Sequence, residues 1–293
     1  MFSLQGQKAL IVGIANEQSI AWGCALALKA QGADLAVTWL NDKAGRFVRP
    51  LAEDLGAEIM MPLDVGQPGQ LEAVFGQIAD RWGRLDTLLH SIAFAPRDDL
   101  HGRVIDCSPE GFGLAMDISV HSFLRMIRLA EPLMPNGGCC LSVSFFGASR
   151  VVRHYNMMGP VKAALESSVR YAAAELGEKG IRVHALSPGP LKTRAASGID
   201  QFDELLASAE HRAPTQKLAT IEDVGAMAAF LASSRARNLT GGVHDTDGGF
   251  SIAARRGISH GQHLRPVQSG RTEPGSARRR RSACRDAQGH GAD

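Results

Sequence analysis

The chain has no stretch of about 18 apolar residues, so no membrane-spanning helix is expected. Paired cysteines are missing too. Cys24, Cys107, Cys139, Cys140 and Cys284 are odd in number and lack CxxC spacing. That excludes a disulfide framework and a zinc site, and reads as reduced thiols in a cytoplasmic protein. No basic leader precedes the first apolar run, and Asn16 and Glu17 interrupt it, so MFSLQGQKALIVGIANEQ reads as a first strand, not a signal peptide. Net charge is small, +2, and unevenly placed. From Ala253 onward nine arginines face three acids, whereas the preceding residues are mildly acidic. After Ile252 apolar residues thin out and periodicity is lost, so residues 255–293 are expected to be a disordered basic tail. Its Arg278–Arg281 run has neither aromatic residues for stacking nor a folded frame, so no nucleic-acid partner is expected.

What the chain does have is alternation. β-rich apolar runs at Ala9–Gly13, Asp34–Trp39, Glu58–Met61, Thr87–Ser91, Cys140–Phe145, Arg182–Leu186 and Val243–Thr246 read as strands. Helical periodicity falls between them, near Ile20–Gln31, Lys43–Leu55, Pro68–Trp82, Pro109–Leu133, Pro160–Glu178 and Ile221–Leu231. Thr220-Ile-Glu-Asp223 is a capping-box pattern that fixes the start of the last helix. Strands that are apolar throughout suit a parallel sheet covered on both faces. The expectation is an α/β fold, a doubly wound parallel seven-stranded sheet of Rossmann type, in one domain over residues 1–254. An insert at 193–220, with a short helix around Gln201–His211, follows the sixth strand, where such folds place a lid over the substrate.

Candidate chemistry gathers where these strands end. Phe145 to Lys162 carries Tyr155 in a short polar loop, with Lys162 seven residues later at the head of a helical pattern. A phenol beside an ammonium can hydrogen-bond and protonate an oxygen that is gaining negative charge. Taken alone, such a pair is usually a surface tyrosine and a solvated lysine. The first strand, however, runs into Gly13-x5-Ser19-x-Ala21 and a helix, a turn that suits a pyrophosphate although GxGxxG spacing is absent. Asp64 and Val65 follow the third strand and could meet an adenine, while His90-Ser91-Ile92-Ala93 ends the fourth with small residues. Together they point to a dinucleotide. The acid that normally ends the second strand is missing, since Thr38-Trp39-Leu40 stands there. Lys43 and Arg46 nearby leave NADH against NADPH undecided.

As an ordered set, the Gly13-x5-Ser19-x-Ala21 turn, Leu63-Asp-Val65, HSIAFAP from His90, Tyr155-x6-Lys162 and SPGPLKTRAASGI from Ser187 resemble the bacterial NADH-dependent enoyl-[acyl-carrier-protein] reductases. These are divergent members of the short-chain dehydrogenase/reductase superfamily. The resemblance runs from about Leu4 to Ala254. It implies that Gly13, Ser19 and Ile20 hold the pyrophosphate and ribose, Leu40 lies by the adenosine ribose, and Asp64 and Val65 hold the adenine. It further implies that Ser91 and Ile92 run along the cofactor, Ala95 touches the acyl substrate, and Leu191, Lys192, Thr193, Arg194 and Ala195 bracket the nicotinamide. Tyr155 is then the catalytic tyrosine and Lys162 binds the nicotinamide ribose. The implied reaction passes hydride from NADH to the β-carbon of a trans-2-enoyl thioester, with Tyr155 donating to the enolate and Ile199, Phe202, Leu205 and Leu206 covering the acyl chain. The family also implies a homotetramer and acyl carrier protein as a transient partner.

Two positions depart from the family pattern. Phe145 stands where a second tyrosine is usual. Pro160 lies between Tyr155 and Lys162 and is expected to be the first residue of the following helix. Two rival readings follow. One is a keto or hydroxy reductase on the same fold, which would want a tyrosine at position 158, where Met158 stands. The other is a weakened paralogue that only binds cofactor. Apolar residues on more than one face of the helices near Pro109–Leu133 and Pro160–Glu178 suggest burial against partner subunits.

Overall fold

A computed structural model describes residues 2–193 and 202–253. Seven strands form one sheet: β1 (Lys8–Val12), β2 (Asp34–Trp39), β3 (Ile59–Pro62), β4 (Thr87–His90), β5 (Gly138–Val143), β6 (Ile181–Pro188) and β7 (Val243–Thr246). Their order across the sheet is β3-β2-β1-β4-β5-β6-β7, with every pair parallel. Chain order reverses between β1 and β4, which opens the crevice where doubly wound sheets bind ligands.

Helices cover both faces. On one lie α1 (Ile20–Ala30), α2 (Asp42–Asp54) and α9 (Ile221–Ala232), and on the other α3 (Gln70–Trp82), α5 (Pro109–Met116), α6 (Ser122–Ala130) and α7 (Met158–Leu176). The sheet sits between two apolar clusters, one centred on Phe123, Leu88 and Val161, the other on Leu28, Ile11 and Leu141. α1 and α9 cross at glycine. A Cβ on Gly23 would stand 2.2 Å from the carbonyl oxygen of Ile221, and one on Gly225 would stand 2.3 Å from that of Gly23. α9 opens on the expected capping box: the Thr220 hydroxyl accepts from the Asp223 N–H at 3.3 Å, and Asp223 accepts from the Thr220 N–H at 2.9 Å.

Two expectations need correction, and one helix is unexpected. The helix expected over Pro109–Leu133 is split into α5, a π turn at Asp117–His121, α6 and a 3-10 turn at Glu131–Leu133. Side-chain oxygens compete with the helix there. Ser119 Oγ accepts from the Phe94 N–H at 3.0 Å, and Ser122 Oγ donates to the Ile118 carbonyl at 2.7 Å. α7 begins at Met158, so Pro160 is its third residue, not its first. A proline is tolerated there because none of the first four N–H groups has an intrahelical partner. A short helix α4 (Arg97–His101) escapes sequence reading, since RDDLH has no apolar period to reveal it. The expected basic tail, 255–293, lies outside the described residues. Among the described residues no helix is long and apolar enough to cross a membrane.

Candidate active site

Gly13 follows β1 with φ of 104°, a conformation that favours glycine, and a Cβ there would stand 2.1 Å from the Ser91 carbonyl oxygen. The Ser91 N–H in turn donates to the Val12 carbonyl at 2.9 Å. The strand ends on either side of the sheet's reversal are therefore packed backbone to backbone. Beyond Gly13 the loop is organised by Ser19, whose Oγ accepts from the N–H groups of Ala15 (3.0 Å) and Asn16 (3.1 Å). Ser19 is the residue before α1, yet its side chain turns away from the helix, and no acid occupies the first turn. The helix start is thus uncapped by any side chain and positive in potential, which fits the pyrophosphate of a dinucleotide.

From Ile20 a cavity of about 320 Å³ runs along the carboxyl ends of β4, β5 and β6. Ile20, Ser91, Ile92, Ala95, Phe145, Tyr155, Lys162, Leu191 and Thr193 all line it, so most of the candidate residues come together on one surface. Other candidates lie away from it. Gly13 and Ser19 form the turn at its head. Asp64 accepts from the Gly66 N–H at 2.9 Å in a tight turn, and Val65 is buried. Leu40 is 56% exposed at the end of β2. Lys192 is also exposed. Arg194, Ala195, Ile199 and the side chain of Phe202 lie outside the described residues.

Tyr155 sits on a short loop whose neighbours take left-handed backbone: φ is 63° at His154 and 43° at Asn156. Histidine and asparagine tolerate that region better than most residues. The Asn156 amide donates to the Leu100 carbonyl at 2.7 Å, tying the loop to α4. The Tyr155 ring meets Phe145 edge-on at 4.9 Å, Phe145 meets Phe146 at 4.9 Å, and Phe146 meets Phe250 at 4.9 Å. Beneath α8 (Phe202–Arg212), Leu205 and Ala209 pack with Phe250 and Phe146, so this aromatic row connects α8 to the tyrosine. Of the described residues in the 193–220 insert, only Thr193 lines the cavity itself.

Burial sets the protonation of the site. It pushes the Tyr155 phenol well above its ordinary value, with the Glu166 carboxylate adding to the effect, so Tyr155 is a neutral donor. It also pulls Lys162 down to about 8, partly offset by Glu166, which leaves an ammonium at neutral pH. That ammonium donates to the Val143 carbonyl at 2.6 Å, which aims it at the end of β5.

Position and chain order foretell these residues, but three others escape sequence reading. His90 is fully buried beneath Ser91, between Ser122 Oγ on Nε2 (2.8 Å) and Ser142 Oγ on Nδ1 (2.9 Å). Because Ser122 gives its own proton to Ile118, it must accept from Nε2–H, and Nδ1 then accepts from Ser142. Burial first, and Lys162 second, hold His90 neutral, down at about 3. Ser144 lines the cavity and donates to Glu166 at 2.6 Å. Nothing in a one-dimensional pattern marks a buried serine or a helical glutamate as part of a site.

The family profile described as enoyl-(acyl carrier protein) reductase matches residues 13–251. The chain belongs to that family. It is 43% identical to enoyl-[acyl-carrier-protein] reductase [NADH] 1 of Rhizobium meliloti over 255 residues, covering 87% of this chain and 94% of that protein. The enoyl reductase from Anaplasma phagocytophilum, solved in complex with NAD, superposes with a TM-score of 0.84 at 41% identity, over 88% of this chain and 99% of that one. The Bacillus cereus reductase, solved with NADP+ and an indole naphthyridinone, gives 0.84 at 42% identity, over 87% and 100%. As a family member the chain is an oxidoreductase of the short-chain dehydrogenase/reductase type.

Proposed function

We propose that this chain reduces trans-2-enoyl thioesters carried on acyl carrier protein, using NADH, in fatty acid biosynthesis. The observation that carries the reading is the placing of a neutral Tyr155 and a charged Lys162 on one cavity that begins at the α1 N-terminus. When bound, the dinucleotide supplies the hydride. Gly13 leaves room for close backbone approach, the uncapped start of α1 receives the pyrophosphate, and Ser91 and Ile92 form the wall along which the cofactor lies. Lys162 binds the ribose hydroxyls, and Leu191 to Ala195 bracket the nicotinamide. Asp64 and Val65 serve the adenine, and Leu40 covers its ribose without a carboxylate to reject a 2′-phosphate. Ala95 and Phe145 wall the acyl side.

Hydride addition to the β-carbon moves negative charge onto the thioester oxygen. Tyr155 donates a hydrogen bond to that oxygen, and the Lys162 ammonium lowers the energy of the charge. Phe145 adds no hydroxyl, so Tyr155 acts as the only phenol of the cavity. Its ring instead holds the Tyr155 ring edge-on.

We also infer one catalytic domain at 1–254, with 193–220 as the substrate lid, working in the cytoplasm as a homotetramer. Exposed apolar side chains support the assembly: Phe112 and Leu114 on α5, and Tyr171, 72% exposed, on α7. The deciding assay follows NADH absorbance with crotonyl-thioester and acetoacetyl-thioester. Turnover of crotonyl-thioester is expected. Turnover of acetoacetyl-thioester alone would replace the reading with a ketoreductase, and tight NADH binding without reduction of either would replace it with a scaffold.

A further inference from the structure

Saturating a carbon–carbon double bond consumes one hydride and one proton, and the proton must come from water. The described cavity wall has two titratable groups, Tyr155 and Lys162, and both are buried. Tyr155 holds its proton tightly, and the Lys162 ammonium is engaged with the Val143 carbonyl. A polar group that reaches both the cavity and solvent would give this pair a route by which the proton is replaced.

One path of polar groups leads outward. Val143 and Ser144 are consecutive at the end of β5, and Lys162 and Glu166 are one turn apart on α7. Lys162 donates to Val143, and the Ser144 hydroxyl donates to Glu166 Oε1 at 2.6 Å. Ser144 is 2% exposed and faces the cavity, whereas Glu166 is only half-buried, so the pair spans the distance from cavity to solvent. We propose that Ser144 and Glu166 form a proton relay that resupplies the active-site cavity from solvent during enoyl reduction.

The relay rests on the enoyl reductase reading and balances as follows. With Glu166 in its acid form, its O–H donates to Ser144 Oγ and frees the Ser144 proton to point into the cavity. As the cavity takes the Ser144 proton onto the charge left by hydride addition, Ser144 takes the Glu166 proton. Glu166, now a carboxylate, recovers a proton from water on its exposed side. The surroundings keep the acid form accessible. Burial acts most strongly, raising the affinity of Glu166 for its proton, and Asp245 on β7 adds to it; the Ser144 hydrogen bond, Arg170 and Lys162 oppose it, leaving a net rise. Glu166 touches no reacting atom and works through Ser144, which makes it a positioning residue.

Glu166→Gln keeps an oxygen for Ser144 to donate to, yet has no acidic proton to pass. With crotonyl-thioester, kcat should fall about tenfold and the solvent deuterium isotope effect should rise. The decline of kcat with rising pH caused by loss of the Glu166 proton should vanish. The thermal midpoint and NADH affinity should stay at wild-type values. Ser144→Ala should match this loss, and Ser144→Thr should recover it. Unchanged kcat, isotope effect and pH profile in Glu166→Gln would overturn the relay, as would a loss that tracks weakened NADH binding or a lowered midpoint. A second measurement needs no substrate: infrared difference spectra of wild type against Glu166→Gln. They should show a carboxylic acid band persisting above the ordinary glutamate range. A band that disappears within that range overturns the relay. Failure of the wild type on crotonyl-thioester overturns instead the enoyl reductase reading, and the infrared result stands apart from it.

Discussion

Tyr155 and Lys162 share an apolar cavity, and burial drives the phenol up and the ammonium down in proton affinity. Tyr155→Phe removes a hydroxyl but not the ring that packs on Phe145. The variant should fold and bind NADH normally while kcat falls about 10²–10³-fold, the range for losing one oxyanion donor, as steady-state kinetics would show. In the proposed reaction Lys162 works as a cation. In the free enzyme, kcat/KM should therefore fall as pH rises through about 8. Stability moves the other way. The folded value lies below the ordinary 10.5, so the folded state releases its proton first and gains stability relative to the unfolded chain between about 8 and 10.5. Thermal melts across that window should show the wild type gaining relative to Lys162→Met as pH rises.

At the scale of elements, the site depends on how closely helices and strands approach. Gly23→Ala would place a Cβ 2.2 Å from the Ile221 carbonyl oxygen, a backbone atom with no rotamer to escape into. Overpacking of this kind costs about 1–3 kcal/mol, so the thermal midpoint should drop by about 3–10 °C. Gly76→Ala on α3 is the control. No atom lies within 4 Å of its added Cβ, so only helix propensity changes and the midpoint should hold or rise. The π turn between α5 and α6 shows a different dependence. Ser119 and Ser122 bond to the loop after β4 and to the His90 ring, so the helix departs from regularity where it braces the cavity wall.

For the whole molecule, the family match ends at residue 251, and the basic tail lies beyond it. A chain truncated after Ala253 should keep turnover within about twofold of full length, because the cavity is built from residues 20–193. Light scattering on both forms should give four times the chain mass, 31.2 kDa for full length. A monomer would leave Phe112, Leu114 and Tyr171 bare and would sink the proposed assembly.

Much of this was legible in one dimension because its causes are local. Apolar runs alternating with helical periods specified a doubly wound parallel sheet, and chain order alone placed Gly13 and Ser91 at its strand ends and Tyr155 and Lys162 in the loop and helical pattern after the fifth strand. A capping box between Thr220 and Asp223 acts over four residues, and so it was readable too. Other features depend on groups far apart in sequence. The row from Tyr155 to Phe250 brings α8 into line with the tyrosine, and His90 is neutral because of burial among serines 32 and 52 residues away. Ser144 and Glu166 meet across 22 residues, between a strand end and a helix face. Sequence by itself determined the fold and pointed to Tyr155 and Lys162 as candidates for the chemistry. Tertiary structure alone decided their protonation and partners, since burial and long-range hydrogen bonds exist only once β4, β5 and α7 have packed.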